Sequence, residues 1–216
     1  MDWPRAIDRN REDLLVIVGR LFMLAGLRTG RVVTMLPRGL YRRILGILRP
    51  AEFAVRRLIV MAACRLSVTP AREREANPTR KETAAAKPET RKAPLPAFPL
   101  FDPLRQFGAP WLEPGDDGAW TIDKDELWPG QPVNAAGLVR RIRALERVLQ
   151  DMEAQAARLA RWQARRDRAT RRPKRWRPIR PGRPPGWQAR PKNAVEEVLK
   201  ECHALALYAW QPHDTS

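Results

Sequence analysis

Two cysteines and two histidines in 216 residues leave little material for metal or redox chemistry. Zinc takes three or four protein ligands, commonly in close-spaced pairs. Only Cys64, Cys202, His203 and His213 are on hand. Cys202 and His203 are adjacent, so on a helix they point about 100° apart. Cys202 falls on an apolar face and is expected in the core. With so few histidines, a nucleophile–His–carboxylate arrangement has almost nothing to draw on. Asp123, Asp125 and Glu126 form the only compact carboxylate group, without the ligand spacing and glycine of a calcium loop. Gly182 and Gly186 lie among prolines, outside any strand-to-helix phosphate loop. No enzyme, cofactor or small-molecule substrate is expected.

Long apolar runs are also lacking. The longest, Leu14–Leu27, contains Arg20 and falls short of the roughly 20 residues a spanning helix needs. The start, Met1-Asp2-Trp3-Pro4, has no basic region leading to a cleavage site, so no secretory signal is expected. Scarce cysteine suits reduced thiols. The expected setting is the cytoplasm, with the inner-membrane surface as an alternative.

Positive charge and proline are abundant. There are 41 Lys+Arg against 24 Asp+Glu, a net charge of +17, and 21 prolines. All but seven of the cations are arginine, whose planar fork matches phosphate and stacks on rings. The charge is unevenly distributed: residues 101–137 hold seven acidic and two basic residues, whereas 171–192 hold nine basic and none acidic.

The patterning predicts a mostly α protein. Residues 1–68 read as a basic amphipathic three-helix region. Asp8 or Asn10 would cap the first helix, and Pro37 and Pro50 would open the second and third. Residues 69–97, rich in Pro, Ala, Lys, Glu and Thr, read as a disordered linker. Residues 98–133 form an irregular aromatic and acidic segment. Its cluster of Phe98, Leu100, Phe101, Leu104 and Phe107 is expected to pack over the helices, and a short hairpin could turn at Gly118. Residues 134–210 read as an antiparallel helical hairpin, and 211–216 as a tail. Its first helix would start at Asn134 and carry a heptad seam of Leu138, Ile142, Leu145, Leu149, Met152, Ala156 and Leu159. Its second would start from an Asn193–Glu196 capping box and bury Val195, Val198, Leu199, Cys202, Leu205, Ala206 and Ala209.

That hairpin would hold a basic, proline-rich loop, 171–192, at its tip. Prolines keep such a chain extended without internal hydrogen bonds. Arg171, Arg172, Lys174, Arg175, Arg177, Arg180, Arg183 and Arg190 could then reach phosphates and release counterions. Trp176 and Trp187 supply rings for stacking on unpaired bases. The expected partner is nucleic acid or a ribonucleoprotein. Two alternatives are an anionic membrane surface bound through 11–66 and a protein partner bound through the 138–159 seam. The acidic 101–137 stretch could occupy the same basic surface.

Pro181-Gly182-Arg183-Pro184 resembles the core of an AT-hook, although Pro181 replaces the first of its two groove-entering arginines. Arg49-Pro50-Ala51-Glu52 leading into Arg56–Val60, Pro99–Pro103, and Gly182–Gly186 before Glu201–Leu205 resemble a group of alphaproteobacterial proteins. That resemblance implies a cytoplasmic bacterial setting and assigns no functional residue.

Overall fold

The computed structural model describes residues 2–27, 33–66, 98–103, 132–168 and 177–210. The linker 69–97, the Gly118 turn, the Asp123–Glu126 carboxylates and the 211–216 tail lie outside the described residues. So do Leu104, Phe107, Arg171, Arg172, Lys174, Arg175 and Trp176.

Helix α1 spans Trp3–Leu24. It begins earlier than the expected cap at Asp8 or Asn10, because Asp2 accepts the backbone N–H of Arg5 and Pro4 sits in the first turn. Proline is tolerated there, where its missing N–H has no helical partner. Asn10 instead lies buried inside the helix. Its amide donates to the Ala6 carbonyl and its oxygen accepts from the Cys202 thiol at 3.3 Å.

Strand β1, Met35–Pro37, leads directly into α2, Arg38–Cys64. The break expected at Pro50 does not occur: α2 runs 27 residues with Pro50 inside it. An interior proline removes one hydrogen bond and crowds the carbonyl four residues back, at a cost of about 3 kcal/mol. Here that carbonyl belongs to Gly46, and Pro50 is itself buried. Residues 51–61 are buried on every side of the helix, so tertiary packing outweighs the local preference.

Strand β2, Pro132–Asn134, pairs antiparallel with β1 in the register Met35↔Asn134, Leu36↔Val133 and Pro37↔Pro132. The next N–H, that of Ala135, donates to Thr34. This two-stranded clip brings the second half of the chain back onto the first. Helix α3, Ala136–Gln150, follows, with the Asn134 side chain accepting the Ala136 N–H.

The long helix expected from Asn134 to about Arg168 is divided at Asp151, and α4 spans Met152–Arg168. Arg11 of α1 explains the division. Its guanidinium donates to the carbonyls of Leu149 and Gln150, oxygens that a continuous helix would use internally. A cation at that position also complements the helix dipole.

Helix α5, Ala194–Trp210, begins at the expected capping group. Asn193 accepts the Glu196 N–H, while the Glu196 carboxylate accepts from the Lys192 backbone and the Asn193 amide.

The described residues are mostly helical and share one core built around α2, to which α1, α3, α4 and α5 all contribute. The helices of the expected hairpin do not pair chiefly with each other, as the heptad reading would have them; α4 and α5 pack mainly on α2, and α3 mainly on α1. All seven seam residues are buried in this shared core. The central helix supplies apolar surface to every neighbour, so no two-helix seam is needed. No helix among the described residues is long and apolar enough to cross a membrane.

Candidate nucleic-acid interface

Arg56 and Arg57 of α2 are 4% and 1% exposed. Their sequence setting, beside Ala54, Val55, Leu58, Ile59 and Val60, already places them in an apolar run. Buried cations require partners, and these arginines have them. Arg57 forms a two-pronged ion pair with Asp102, at 3.3 and 3.1 Å. It also donates to the Phe53 carbonyl and, through Nε, to Nδ1 of His203 on α5. Arg56 lies over the Phe53 and Phe98 rings and donates to the Pro99 carbonyl. Glu52, one turn earlier, makes a 3.8 Å contact with Arg56 and a two-pronged pair with Arg141 of α3 at 2.8 Å. That hydrogen bond to Glu52 raises the Arg141 pKa, whereas desolvation lowers that of Arg56.

Desolvation also lowers the His203 pKa, and the Arg57 charge adds to the effect. Neutral His203 has an acceptor lone pair for the Arg57 N–H; a protonated ring would present a second cation instead. Burial pushes the Cys202 thiol well above its ordinary range, consistent with the core role expected of it. Among the described residues, no three or more His, Cys, Asp or Glu side chains gather into a metal-binding group.

Asp102 is the link between this buried network and the basic loop. Its carboxylate also accepts the backbone N–H of Arg180, and its own N–H donates to the Pro178 carbonyl. Residues 98–103 therefore run between α2 and the loop. Phe98 and Leu100 are buried, and Phe101 packs edge-on against Trp162 of α4, with ring centroids 4.8 Å apart. The described part of the aromatic cluster thus lies over the helices, as the sequence suggested.

The loop itself is anchored along its described length. Pro178, Ile179 and Pro184 are buried. Pro181-Gly182 and Pro185-Gly186 make successive turns, with φ of +92° and +80° at the two glycines. Proline followed by glycine at positive φ is the pattern of a type II turn, and Trp187 N–H closes the second turn on the Pro184 carbonyl. A Cβ on Gly186 would come within 3.0 Å of Pro50 Cβ. The two unusual features, an interior helix proline and a left-handed glycine, are therefore in contact. Lys200 of α5 ties down the far end through the Ala189 carbonyl.

Arg177, Arg180, Arg183 and Arg190 each precede a proline, which biases their backbone to extended conformations. Arg177, Arg183, Arg190 and Lys192 are exposed, and Arg180 is half-buried. Trp187 differs from the expected open stacking platform. It is partly buried against the core, and the Arg183 guanidinium lies 4.2 Å from its ring centroid.

The sequence reading missed Arg57, Asp102, His203, Glu52 and Arg141. Two signals were present: a charge pair embedded in an apolar run, and one acid within Phe98–Pro103. The apolar residues of 11–66 proposed for membrane contact are mostly used internally, with Leu15, Val16 and Met23 among those exposed. No family model, curated protein or solved structure matches the chain.

Proposed function

We propose that this chain is a non-enzymatic binding protein that contacts nucleic acid, alone or within a ribonucleoprotein, through segment 171–192. The observation that carries the reading is the anchored arginine loop. Exposed Arg177, Arg183, Arg190 and Lys192 are presented on a backbone held by Asp102, Pro50 and Lys200, in a segment without a carboxylate. A loop ordered before binding loses less conformational entropy on association than a free tail. Arginines on such a loop neutralise phosphates and release counterions, which makes affinity steeply salt-dependent and largely independent of sequence.

Fluorescence anisotropy of the full chain with a labelled 20-nucleotide probe, between 50 and 200 mM salt, tests it. Changing Arg177, Arg183 and Arg190 together to Gln is expected to weaken binding at least about tenfold at 100 mM salt. Unchanged affinity and salt slope in that variant would remove the loop as the contact.

A further inference from the structure

Helix α4 carries a second row of arginines next to the loop. Arg158, Arg161 and Arg165 are exposed, and at 100° per residue they fall within about 60° of one another on the side away from the buried Met152, Ala156 and Leu159. Residues 154–166 contain no carboxylate, and Ala154, Ala157 and Ala164 lie on or beside the row. Such a surface is positive.

Contacts join this row to the loop. Trp162 lies between the arginine row and the buried face of α4, and it packs against Phe101. The next residue, Asp102, holds the backbone of Arg180 and Pro178. One short bridge thus connects α4 to the start of the described loop.

We infer that the α4 row and residues 177–192 of the loop form one phosphate-binding track, and that its partner is double-stranded nucleic acid; this rests on the function proposed above. Two observations favour a duplex over a single strand. Single-strand binders rely on open aromatic faces for base stacking, yet both described tryptophans on the track are engaged. Trp187 lies under Arg183 and packs on the core, while Trp162 meets Phe101 and lies under Arg166. The cations, in contrast, stand on a helix and on proline-restricted backbone, so their spacing is set before binding. A fixed row of charges suits a regular phosphate ladder that is read through its backbone.

The test uses the full chain with a 20-base-pair duplex and, separately, one of its strands, in DNA and RNA forms, across a salt series. Three variants are compared: R158Q/R161Q/R165Q, R158K/R161K/R165K, and the loop variant R177Q/R183Q/R190Q. Glutamine and lysine are good helix formers, and overlaid far-UV circular dichroism checks the fold. The wild type is expected to prefer duplex to strand. The α4 glutamine variant should lose at least about tenfold in duplex affinity, and its log K against log salt slope should fall by up to about 2.7 for three lost contacts on B-form DNA. The lysine variant should keep most of both.

Wild-type affinity and slope in the α4 glutamine variant, with loss in the loop variant, would overturn the track and leave the loop function standing. Preference for the single strand, with a larger loss on Trp187→Ala than on the α4 change, would overturn the duplex assignment. A wild-type chain that binds no probe at 50 mM salt would overturn both the track and the function.

Discussion

Replacing Asp102 with alanine tests whether the buried ion network holds the basic loop to the body. The side chains of Arg57 and Asp102 are 1% and 2% exposed, so removing the carboxylate leaves a buried guanidinium without its counter-charge. Breaking a buried pair by deleting one member costs about 3–5 kcal/mol. The Arg180 N–H also loses its acceptor, which adds about 1 kcal/mol. With a urea slope of about 2 kcal/mol per molar, the midpoint of unfolding should fall by roughly 2–3 M. Asp102→Asn retains an oxygen for Arg180 and should lie between wild type and alanine. Converting Arg57 and Asp102 together to leucine removes both charges, and it should cost less than the two single changes combined. Hydrogen exchange by mass spectrometry reports the local consequence: in D102A, amides of 179–187 should exchange faster relative to those of α3. A midpoint shift below about 0.5 M, or an unchanged exchange pattern around the loop, would refute the assignment of Asp102 as the anchor.

Two further outcomes follow from the same geometry. His203 has its folded pKa lowered by burial and by Arg57, so the unfolded state binds its proton first. Its contribution to stability is present above the unfolded value of about 6.5 and is lost as pH falls through the folded value, with a slope of at most about 1.4 kcal/mol per pH unit. Urea midpoints between pH 7 and 5 should fall more steeply for wild type than for His203→Gln, whose amide oxygen can still accept from Arg57; parallel curves would count against the reading. Gly186→Ala places a Cβ within 3.0 Å of Pro50 at a φ of +80° and should destabilise by about 1–3 kcal/mol. Thermal unfolding checks it, and the double variant with Pro50→Gly should recover part of the loss, because it removes the Pro50 Cβ that the new methyl meets.

Helix periodicity, the Asn193–Glu196 cap and the core placement of Cys202 were legible because they are local or depend only on spacing. The apolar seam 138–159 was also legible as a buried face, since heptad spacing specifies which side is covered. It does not specify by what, and the covering element proved to be the shared core around α2. Three boundaries depended on distant residues. Arg11 divides α3 from α4 by taking the carbonyls of Leu149 and Gln150. Pro50 stays helical within the buried stretch of α2, where Gly186 meets it. The β1–β2 clip joins residues nearly one hundred positions apart, beyond any window of local pattern.

Amino-acid order alone determined the charge map, the helical character of most of the chain, and the proline-restricted backbone of Arg171–Lys192. Each follows from side-chain chemistry or nearest-neighbour sterics. Tertiary structure decided which cations are surface and which are core. Arg56 and Arg57 are buried because Asp102, Glu52 and neighbouring carbonyls compensate them, whereas Arg158, Arg161 and Arg165 face outward on α4. It also decided the role of Trp187, a ring that the sequence offered for stacking and the fold placed beneath Arg183. An arginine or tryptophan has the same intrinsic preferences at every position; its burial depends on partners brought from elsewhere in the chain.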